Sequence, residues 1–411
     1  MKYIKIFFIF FVVPGLMGVF LQCSDVKDNS PGYEIAAYYF PNYHPNDKRN
    51  NARFGKGWSE WQLVKNAKPR FPGHNQPKIP LWGYGDESNP AVMAKKIDTA
   101  AKYGIDAFIF DWYYYDDGPF LEKCLEEGYL RARNHNKVKF AIMWANHDWI
   151  DIHPLSKKDC INGPKLLYPG KISPQTWEKM TDYIIENYFH HPSYWFVGGE
   201  PYFSIYDLNR FMQIFGSMEK TQKAIEVFRQ KVIDSGLPGL NLNAVVWGQT
   251  ILPNEQKVDN INRLIKELGF NSFTSYVWIH HVALPEFPQT PYQYVQKKYF
   301  EYAKTVTDSF DLPYYPNVTM GWDSTPRTKQ DDPYENIGYP FMATISGNTP
   351  SAFTNALKEM KSFLQRHPQC ENTFNINCWN EWTEGSYLEP DTVHEMAYLE
   401  AVLDIFGQNG H

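Results

Sequence analysis

The sequence predicts a single (β/α)8 barrel with a long first βα loop. Strand-like and helix-like segments alternate from about Tyr33 to the end of the 411-residue chain. The strand candidates are short runs rich in Val, Ile, Phe and Tyr without clean polar alternation, as expected of strands buried on both faces. Eight strands and eight helices in strict alternation specify a (β/α)8 barrel. A doubly wound open sheet is the alternative, but no Gly-rich phosphate loop follows the first strand.

Eight strand candidates carry the apolar runs, and the patterns of the sixth and seventh are the weakest. They cover residues 34–40, 106–111, 139–144, 201–206, 242–247, 272–276, 316–320 and 373–378. Several of the helix candidates begin at a Pro or just after a Ser, Thr or Asn, as helix starts do. They cover residues 90–103, 120–134, 174–188, 221–235, 260–268, 291–308, 350–366 and 393–406. We therefore predict one catalytic domain over residues 33–411.

The N-terminus has the layout of an export signal. Lys2 and Lys5 precede an apolar stretch over residues 6–21, which is short for a membrane span. Cys23 and the polar run after it are typical of a bacterial lipoprotein, although residues 20–22 lack the usual small residue before the Cys. We expect a signal peptide over 1–22, lipid on Cys23 and a tether over 23–32. The mature chain would be anchored on the outer-membrane surface or in the periplasm, and an uncleaved signal anchor is the alternative.

The composition excludes some classes of partner. The net charge is -6 and no basic stripe is present, so a nucleic-acid partner is not expected. No CxxC or Cys/His spacing indicates zinc, and His280-His281 with Asp323 matches no known ligand pattern. We expect no metal, no cofactor and a monomer. The pairing of the remaining cysteines stays open, as disulfides or as buried free thiols: Cys124, Cys160, Cys370 and Cys378.

Aromatic and polar side chains occur together at nearly every predicted strand end. In a barrel these ends form one rim, where the active site lies. At a single strand end such side chains usually serve only to pack the core. Seven such ends on one rim indicate a polar, aromatic-lined cleft for a glycan. Asp111 and Asp148 could bind sugar hydroxyls or orient a catalytic group, and the alternative is that either pairs with a buried His or Arg. The substrate-binding candidates from these ends are Tyr39, Tyr43, His44, Asp111, Trp112, Trp144, Asn146, His147, Asp148, Trp247, Tyr276, Trp278 and Trp322.

The first βα loop, over residues 42–89, is too long for a plain connector. It contains Trp58, Glu60 and Trp61, which we add to the substrate-binding candidates. The loop would form a lid or a substrate wall. The alternative is a surface embellishment with both indoles buried against the barrel.

Two glutamates follow the last predicted strand. Glu381 and Glu384 are interleaved with Trp379 and Trp382, the last substrate-binding candidate. Hydrolysis of a sugar–sugar bond needs such a carboxylate pair, one to shuttle a proton and one to assist attack. Residues three apart on a helical turn have Cβ atoms roughly 5–6 Å apart, which is compatible with a retaining enzyme. An exposed acidic turn is the alternative.

Four motifs in order resemble the WbsX-like family, which is related to glycoside hydrolase family 99 of endo-α-mannosidases and endo-α-mannanases. They are Tyr38-Tyr39-Phe40-Pro41-Asn42-Tyr43-His44, Gly57-Trp58-Ser59-Glu60-Trp61, Phe110-Asp111-Trp112-Tyr113-Tyr114 and Asn380-Glu381-Trp382-Thr383-Glu384-Gly385. The resemblance implies a barrel and a retaining, endo-acting glycoside hydrolase. It implies Glu381 as the base on the sugar's own 2-hydroxyl and Glu384 as the acid/base at the leaving oxygen.

Other functions remain as alternatives. The WbsX name also carries a label as a polysaccharide glycosyltransferase, but no nucleotide-sugar phosphate cradle or Asp-x-Asp pair is apparent. A glycan-binding lipoprotein on a catalytically silent barrel is the other reading. We expect an exported glycoside hydrolase that cleaves a complex polysaccharide or glycan.

Overall fold

The apolar runs pair in parallel to form a nearly closed barrel in the computed structural model, which describes residues 32–407. The predicted signal peptide, Cys23 and most of the tether lie outside the described residues. The barrel strands are β1 (Glu34–Tyr39), β2 (Ala107–Tyr115), β3 (Lys139–Trp144), β4 (Glu200–Ile205), β5 (Asn241–Val245), β6 (Ser272–Thr274), β7 (Tyr314–Tyr315), β8 (Asn317–Thr319) and β9 (Thr373–Asn377). Their order around the sheet is β7-β6-β5-β4-β3-β2-β1-β9-β8. The predicted barrel is confirmed.

The seventh barrel position is filled by two short strands instead of one. β7 pairs with β6, and β8 pairs with β9. Pro316 stands between them and has no N–H to donate, so it interrupts the ladder. Its carbonyl still accepts from the Asn375 N–H at 2.9 Å. The segment therefore bridges the two sides of the ring, which explains the weak strand pattern of this part of the sequence.

Eleven α-helices lie among the described residues, and most of the predicted helix starts are confirmed. Asn89, Ser173 and Thr349 each cap a helix with the side chain, and a Pro follows each cap. The helices are α1 (Lys48–Phe54), α2 (Trp61–Asn66), α3 (Pro90–Lys102), α4 (Lys157–Asn162), α5 (Pro174–Ile184), α6 (Leu208–Phe215), α7 (Met218–Asp234), α8 (Ile261–Glu267), α9 (Tyr292–Ser309), α10 (Pro350–Arg366) and α11 (Ala397–Phe406). None of the helices in residues 32–407 is long and apolar enough to cross a membrane.

The predicted α-helix over residues 120–134 is wrong. β2 continues past the rim and forms a hairpin with Gly118–Phe120, and only a π-helical turn, Cys124–Tyr129, follows. Leu121 has a left-handed φ of 60°, which interrupts a helix at its start. Gly128 packs so tightly that a Cβ there would lie 2.0 Å from the Glu87 carbonyl oxygen. Close approach to the first loop therefore replaces the regular helix.

The barrel interior contains a hydrogen-bonded polar network. Ser204 and Asn243 bond at 2.9 Å, and Asn243 donates to Ser272 at 2.8 Å. Asn375 accepts from Asn317 at 2.5 Å and donates to Thr274 at 2.6 Å. Buried polar groups are tolerated when they are paired in this way. These contacts connect five barrel segments beneath the rim.

Candidate active site

A pocket of about 690 Å³, measured with its open mouth included, lies at the carboxyl ends of the barrel strands. Strands β2 and β3 and the segments after β1, β3, β4, β5, β6, β8 and β9 contribute to its wall. Seven residues singled out from the sequence line it: Asp111, His147, Asp148, Tyr276, Trp322, Glu381 and Glu384. Other residues that line the pocket were not predicted from the sequence: Phe40, Tyr113, Trp149, His153, Tyr206 and Arg327.

Arg327 is the centre of the site, and the sequence analysis did not predict it as a site residue. Its Nη2 donates to Glu381 Oε1 at 3.0 Å and to Glu60 Oε1 at 2.9 Å. Its Nη1 donates to Glu384 Oε1 at 2.5 Å and also to the Tyr339 hydroxyl. One buried guanidinium therefore holds three carboxylates. One feature of the sequence could have indicated Arg327. It is a single Arg shortly after the seventh predicted strand, and the buried carboxylates at this rim need a positive charge.

Two hydroxyl groups complete this cluster. Tyr339 donates to Glu384 Oε1 at 2.7 Å. Thr383 Oγ1 lies 2.6 Å from Glu60 Oε1 and 3.0 Å from Glu381 Oε1. Within residues 32–407, no hydrogen-bond partner holds the Oε2 atom of Glu381 or Glu384. Each catalytic candidate thus has one oxygen fixed by the cluster and one free to meet a ligand.

The charges in the cluster separate the roles of the three carboxyl groups. Burial raises the pKa of Glu60, but Arg327, His153 and Thr383 outweigh burial, so this pKa is lowered overall. Burial raises the pKa of Glu381 well above its usual value, and Arg327 opposes this effect only in part. Burial likewise raises the pKa of Glu384, against Arg327 and Tyr339. Glu60 is therefore favoured in its ionised form beside Arg327, whereas burial favours the protonated form of the other two relative to an exposed carboxyl.

Asp111 lies on the β2 side of the pocket. Its Oδ2 accepts a hydrogen bond from the Tyr276 hydroxyl at 2.8 Å, and its Oδ1 is buried without a partner among the described residues. Burial raises the pKa of Asp111 well above its usual value, and the charge of Glu384 adds to the effect. A buried polar atom without a partner is costly. Asp111 Oδ1 is thus poised to bind a ligand hydroxyl.

Twelve substrate-binding candidates from the sequence do not line the pocket, and ten of them, besides Glu60 and Trp382, pack around it. Side chains alternate along a strand, so a strand-end position does not fix the direction of a side chain. Asp111 points into the pocket, whereas its neighbour Trp112 points outward and donates to the Tyr188 hydroxyl at 3.1 Å. The ten are Tyr39, Tyr43, His44, Trp58, Trp61, Trp112, Trp144, Asn146, Trp247 and Trp278.

Several of these side chains have hydrogen-bond partners away from the pocket. Asn146 bonds the backbone N–H and carbonyl of Asp207. Trp278 Nε1 donates to the Asn317 carbonyl at 2.9 Å. Trp61 Nε1 donates to the Gly85 carbonyl at 2.8 Å. Trp58 stacks on Phe54 at 4.4 Å between ring centres.

The first loop reaches the site through Glu60. Glu60 lies at the start of α2 and is completely buried behind the pocket, bound to Arg327 and to Asn42 Nδ2 at 2.6 Å. Trp58 and Trp61 are buried as well. This placement agrees with the alternative in which both indoles pack against the barrel. The loop holds the Arg327 cluster instead of exposing aromatic faces to the pocket.

A second buried charge cluster supports the turn that carries Glu381 and Glu384. Trp382 and Trp379 are fully buried, and their Nε1 atoms donate to Glu389 at 2.8 and 3.0 Å. Lys96 pairs with Glu389 at 2.5 Å and also with Glu87. Trp382 therefore packs behind the site and offers no open platform there. Indoles and a buried ion pair anchor the turn from outside.

The histidines and Asp323 do not form a metal site. No group of three or more His, Cys, Asp or Glu side chains in residues 32–407 is arranged to hold a metal ion. Asp323 Oδ2 instead lies 2.8 Å from His74 Nε2 and accepts from Gln76 at 2.8 Å. His281 stacks on Tyr302 at 4.0 Å. Within the same residues the four cysteines are unpaired: Cys124, Cys160, Cys370 and Cys378.

We expect Asp323 to contribute to acid stability. Burial raises its pKa, but hydrogen bonds from His74, Thr325 and Gln76 lower it overall to about 2. A lowered folded pKa stabilises the protein above the unfolded value of 3.8, and this contribution, about 2 kcal/mol, is lost between roughly pH 4 and pH 2. Replacing Asp323 with Asn should lower the urea midpoint at pH 6, with about half of the difference gone at pH 3. Asp404→Asn, at an exposed position, should show no such pH-dependent difference; a constant Asp323→Asn deficit would contradict the assignment.

A family model described as "Glycosyltransferase WbsX" matches residues 35–402. The chain belongs to the WbsX family. Two curated relatives are the uncharacterised WxcX proteins of Xanthomonas campestris pv. campestris strains B100 and ATCC 33913. Each is 25% identical over 378 residues, which cover 89% of this chain and 48% of the relative. This WbsX-family chain thus spans about half the length of the curated relatives it matches.

Solved structures place the WbsX barrel beside those of glycoside hydrolases. The family 99 endo-α-mannosidase of Bacteroides thetaiotaomicron, in complex with bis-tris-propane, matches with a TM-score of 0.52 at 15% identity, covering 91% of this chain and 97% of that one. A structure described as a glycoside hydrolase-like protein matches with a TM-score of 0.53 at 14% identity, covering 91% and 94%. The family expected from the motifs is confirmed. At this level of identity the structures support the fold alone.

Proposed function

We propose that this WbsX-family protein is a glycoside hydrolase that cleaves a complex polysaccharide or glycan. The observation that carries the proposal is the pair Glu381 and Glu384, which line one pocket and bond to the two terminal nitrogens of one guanidinium. The width of a guanidinium keeps the two carboxyls close together. Retaining glycosidases hold theirs about 5–5.5 Å apart, whereas inverting enzymes leave room for a water.

In the proposed mechanism the two glutamates divide the proton transfers. Glu384, with a pKa raised by burial, gives its proton to the leaving glycosidic oxygen and afterwards takes one from the attacking water. Glu381 removes the proton of the sugar 2-hydroxyl, whose oxygen attacks the anomeric carbon to form a 1,2-anhydro sugar. Water then opens this ring, and the 2-hydroxyl proton returns from Glu381. Arg327 keeps both carboxyls oriented, and Asp111 binds a ring hydroxyl.

A glycosyltransferase is the second candidate, because the family model carries that description. A transferase would require an activated donor, such as a nucleotide sugar. Arg327 lines the pocket but is already held by three carboxylates, so it offers little charge to a donor phosphate. The acidic residues of the pocket, Asp111, Asp148, Glu381 and Glu384, add no positive charge that could bind a phosphate. These charges favour the hydrolase.

Turnover of a glycan panel tests the proposal. The purified chain would be incubated with bacterial, plant and host polysaccharides, and released sugars measured with the anomer followed by NMR. We expect release from at least one glycan with retained configuration and without any nucleotide sugar. Glu186→Gln, at an exposed position, is the matched control for the Glu384→Gln variant and should act like the wild type. Product formation only when a nucleotide or lipid-linked donor is added would favour the transferase, and binding without turnover would favour a silent glycan-binding barrel.

We also propose that the protein is exported and carries lipid on Cys23. The support is the basic, apolar and Cys-terminated order of the first residues. Labelling cells with a fatty-acid analogue should mark the wild type. Cys23→Ser should lose the label and leave the membrane fraction, whereas Cys160→Ser should keep both.

A further inference from the structure

Five aliphatic side chains line the pocket, and four of them come from the loops after β3 and β5. We call this set the aliphatic wall, and it consists of Ile150, Ile152, Ile251, Leu252 and Val277. Ile251 and Leu252 are only partly buried, so their side chains present surface at the site. None of these side chains has a hydrogen-bond donor or acceptor. A ligand atom that contacts these side chains therefore gains no hydrogen bond from them.

Four of the five residues of the aliphatic wall come from strands across the barrel from the catalytic pair, and the fifth, Val277, follows β6. Glu381 and Glu384 follow β9, whereas Ile150 and Ile152 follow β3, and Ile251 and Leu252 follow β5. In the sheet order, β3 and β5 are each three barrel positions from β9 in opposite directions, if β7 and β8 are taken as one position. A sugar whose anomeric carbon lies at the carboxyls thus directs its far side towards the wall.

The backbone of this wall is fixed by a buried carboxylate. Glu255 Oε2 accepts from the N–H groups of Ile251 and Leu252 at 2.7 and 2.9 Å. Glu255 Oε1 accepts from the Tyr206 hydroxyl at 2.8 Å, which ties the loop to the end of β4. The two aliphatic side chains are therefore held in place as part of a built site and do not lie on a free loop tip.

We propose that the pocket selects a glycan residue that presents a methyl group to the aliphatic wall, as a 6-deoxy sugar or an acetylated sugar does. This rests on the proposed action on glycans. A ring hydroxyl against the wall would lose its water and gain no partner, which is unfavourable. A methyl group at the same place is removed from water into apolar contact, which is favourable.

Binding of matched sugar pairs tests this inference without requiring turnover. The probes are methyl L-fucoside against methyl L-galactoside, methyl L-rhamnoside against methyl L-mannoside, and methyl N-acetylglucosaminide against its N-formyl analogue. Dissociation constants would be measured by NMR titration on the Glu384→Gln variant of the full chain. We expect the methyl-bearing member to bind about tenfold more tightly in at least one pair. A preference in a deoxy pair assigns the C6 methyl, and one in the N-acyl pair assigns the acetyl methyl.

Wall variants decide whether the preference arises at this surface. Leu252→Asn and Ile251→Asn should each remove it, whereas Ile161→Asn, at a position 64% exposed and outside the pocket, should preserve it. Equal binding or no binding in all pairs would overturn the inference. So would a preference that survives in a folded wall variant. If the methyl preference is found but no glycan is hydrolysed, the proposed hydrolase activity fails and the inference about the wall stands.

Discussion

Replacing Glu384 with Gln should reduce the hydrolysis rate by about 10²–10⁴-fold on a natural glycan. Gln keeps the size of the side chain and can still accept from Arg327 and Tyr339 through its carbonyl oxygen. It cannot give a proton to the leaving oxygen. Since the substitution puts a neutral side chain of the same size in place of one of three buried carboxyls that share Arg327, the thermal midpoint should stay the same or rise.

The leaving group separates the roles of the two glutamates. An acidic phenol leaves an aryl glycoside without help from a general acid, so Glu384→Gln should release the phenol in the first turnover at close to the wild-type rate, although later turnovers still need Glu384 to take a proton from water. Glu381→Gln should be impaired on both kinds of substrate, because attack on the anomeric carbon still needs a base. The measurement is the rate on a matched series of aryl glycosides. Equal losses for both variants across the series would contradict the assigned roles.

Glu60→Gln is the matched control for these variants. Glu60 bonds the same guanidinium but does not line the pocket. As a positioning residue, it should affect the rate less than either catalytic candidate and should not change the dependence on the leaving group. A Glu60→Gln defect that disappears on substrates with acidic phenols would assign the proton donor to Glu60 instead.

Replacing Arg327 with Met should destabilise the barrel by about 3–5 kcal/mol near neutral pH. Arg327 is the cation that Glu60, Glu381 and Glu384 share, and all four side chains are buried. Met fills a similar volume but leaves three carboxylates without their counter-charge. The midpoints of urea unfolding of the two proteins measure the difference.

The Arg327→Met deficit should depend on pH. Without the guanidinium, the pKa values of all three carboxyls in the folded state rise above the unfolded value of 4.5. A raised folded pKa favours the folded state at low pH, and this advantage is lost as the pH rises through that pKa. The deficit should therefore be smaller at pH 5 than at pH 8.

Two further variants control this experiment. Arg263→Met removes an exposed arginine that pairs with Glu267 one helical turn away, and it should not shift the midpoint. Arg327→Lys keeps the charge but not the planar fork, so it should recover part of the stability. A deficit of equal size at pH 5 and pH 8 would show that the carboxyls are not ionised in the variant.

The sequence predicted the barrel well and the composition of the pocket only in part. Alternating apolar runs and capped helices were sufficient for the fold, since these signals are local. The helix over residues 120–134 failed because its conformation is set by the contact of Gly128 with Glu87, 41 positions away in the chain. Residues at strand ends were correctly placed at the rim. Their inward or outward direction was not predictable from the position of a strand end, as Asp111 and Trp112 illustrate.

By itself the sequence determined the fold class, the family motifs and the two glutamates that lie together in the pocket. Only the tertiary structure revealed that Arg327 joins Glu60 to Glu381 and Glu384, so that three distant parts of the chain meet at one guanidinium. It also placed Trp382 behind the site and assembled the aliphatic wall. The physical reason is that periodicity and capping depend on near neighbours in the chain, whereas charge pairing and pocket lining depend on which segments meet in space.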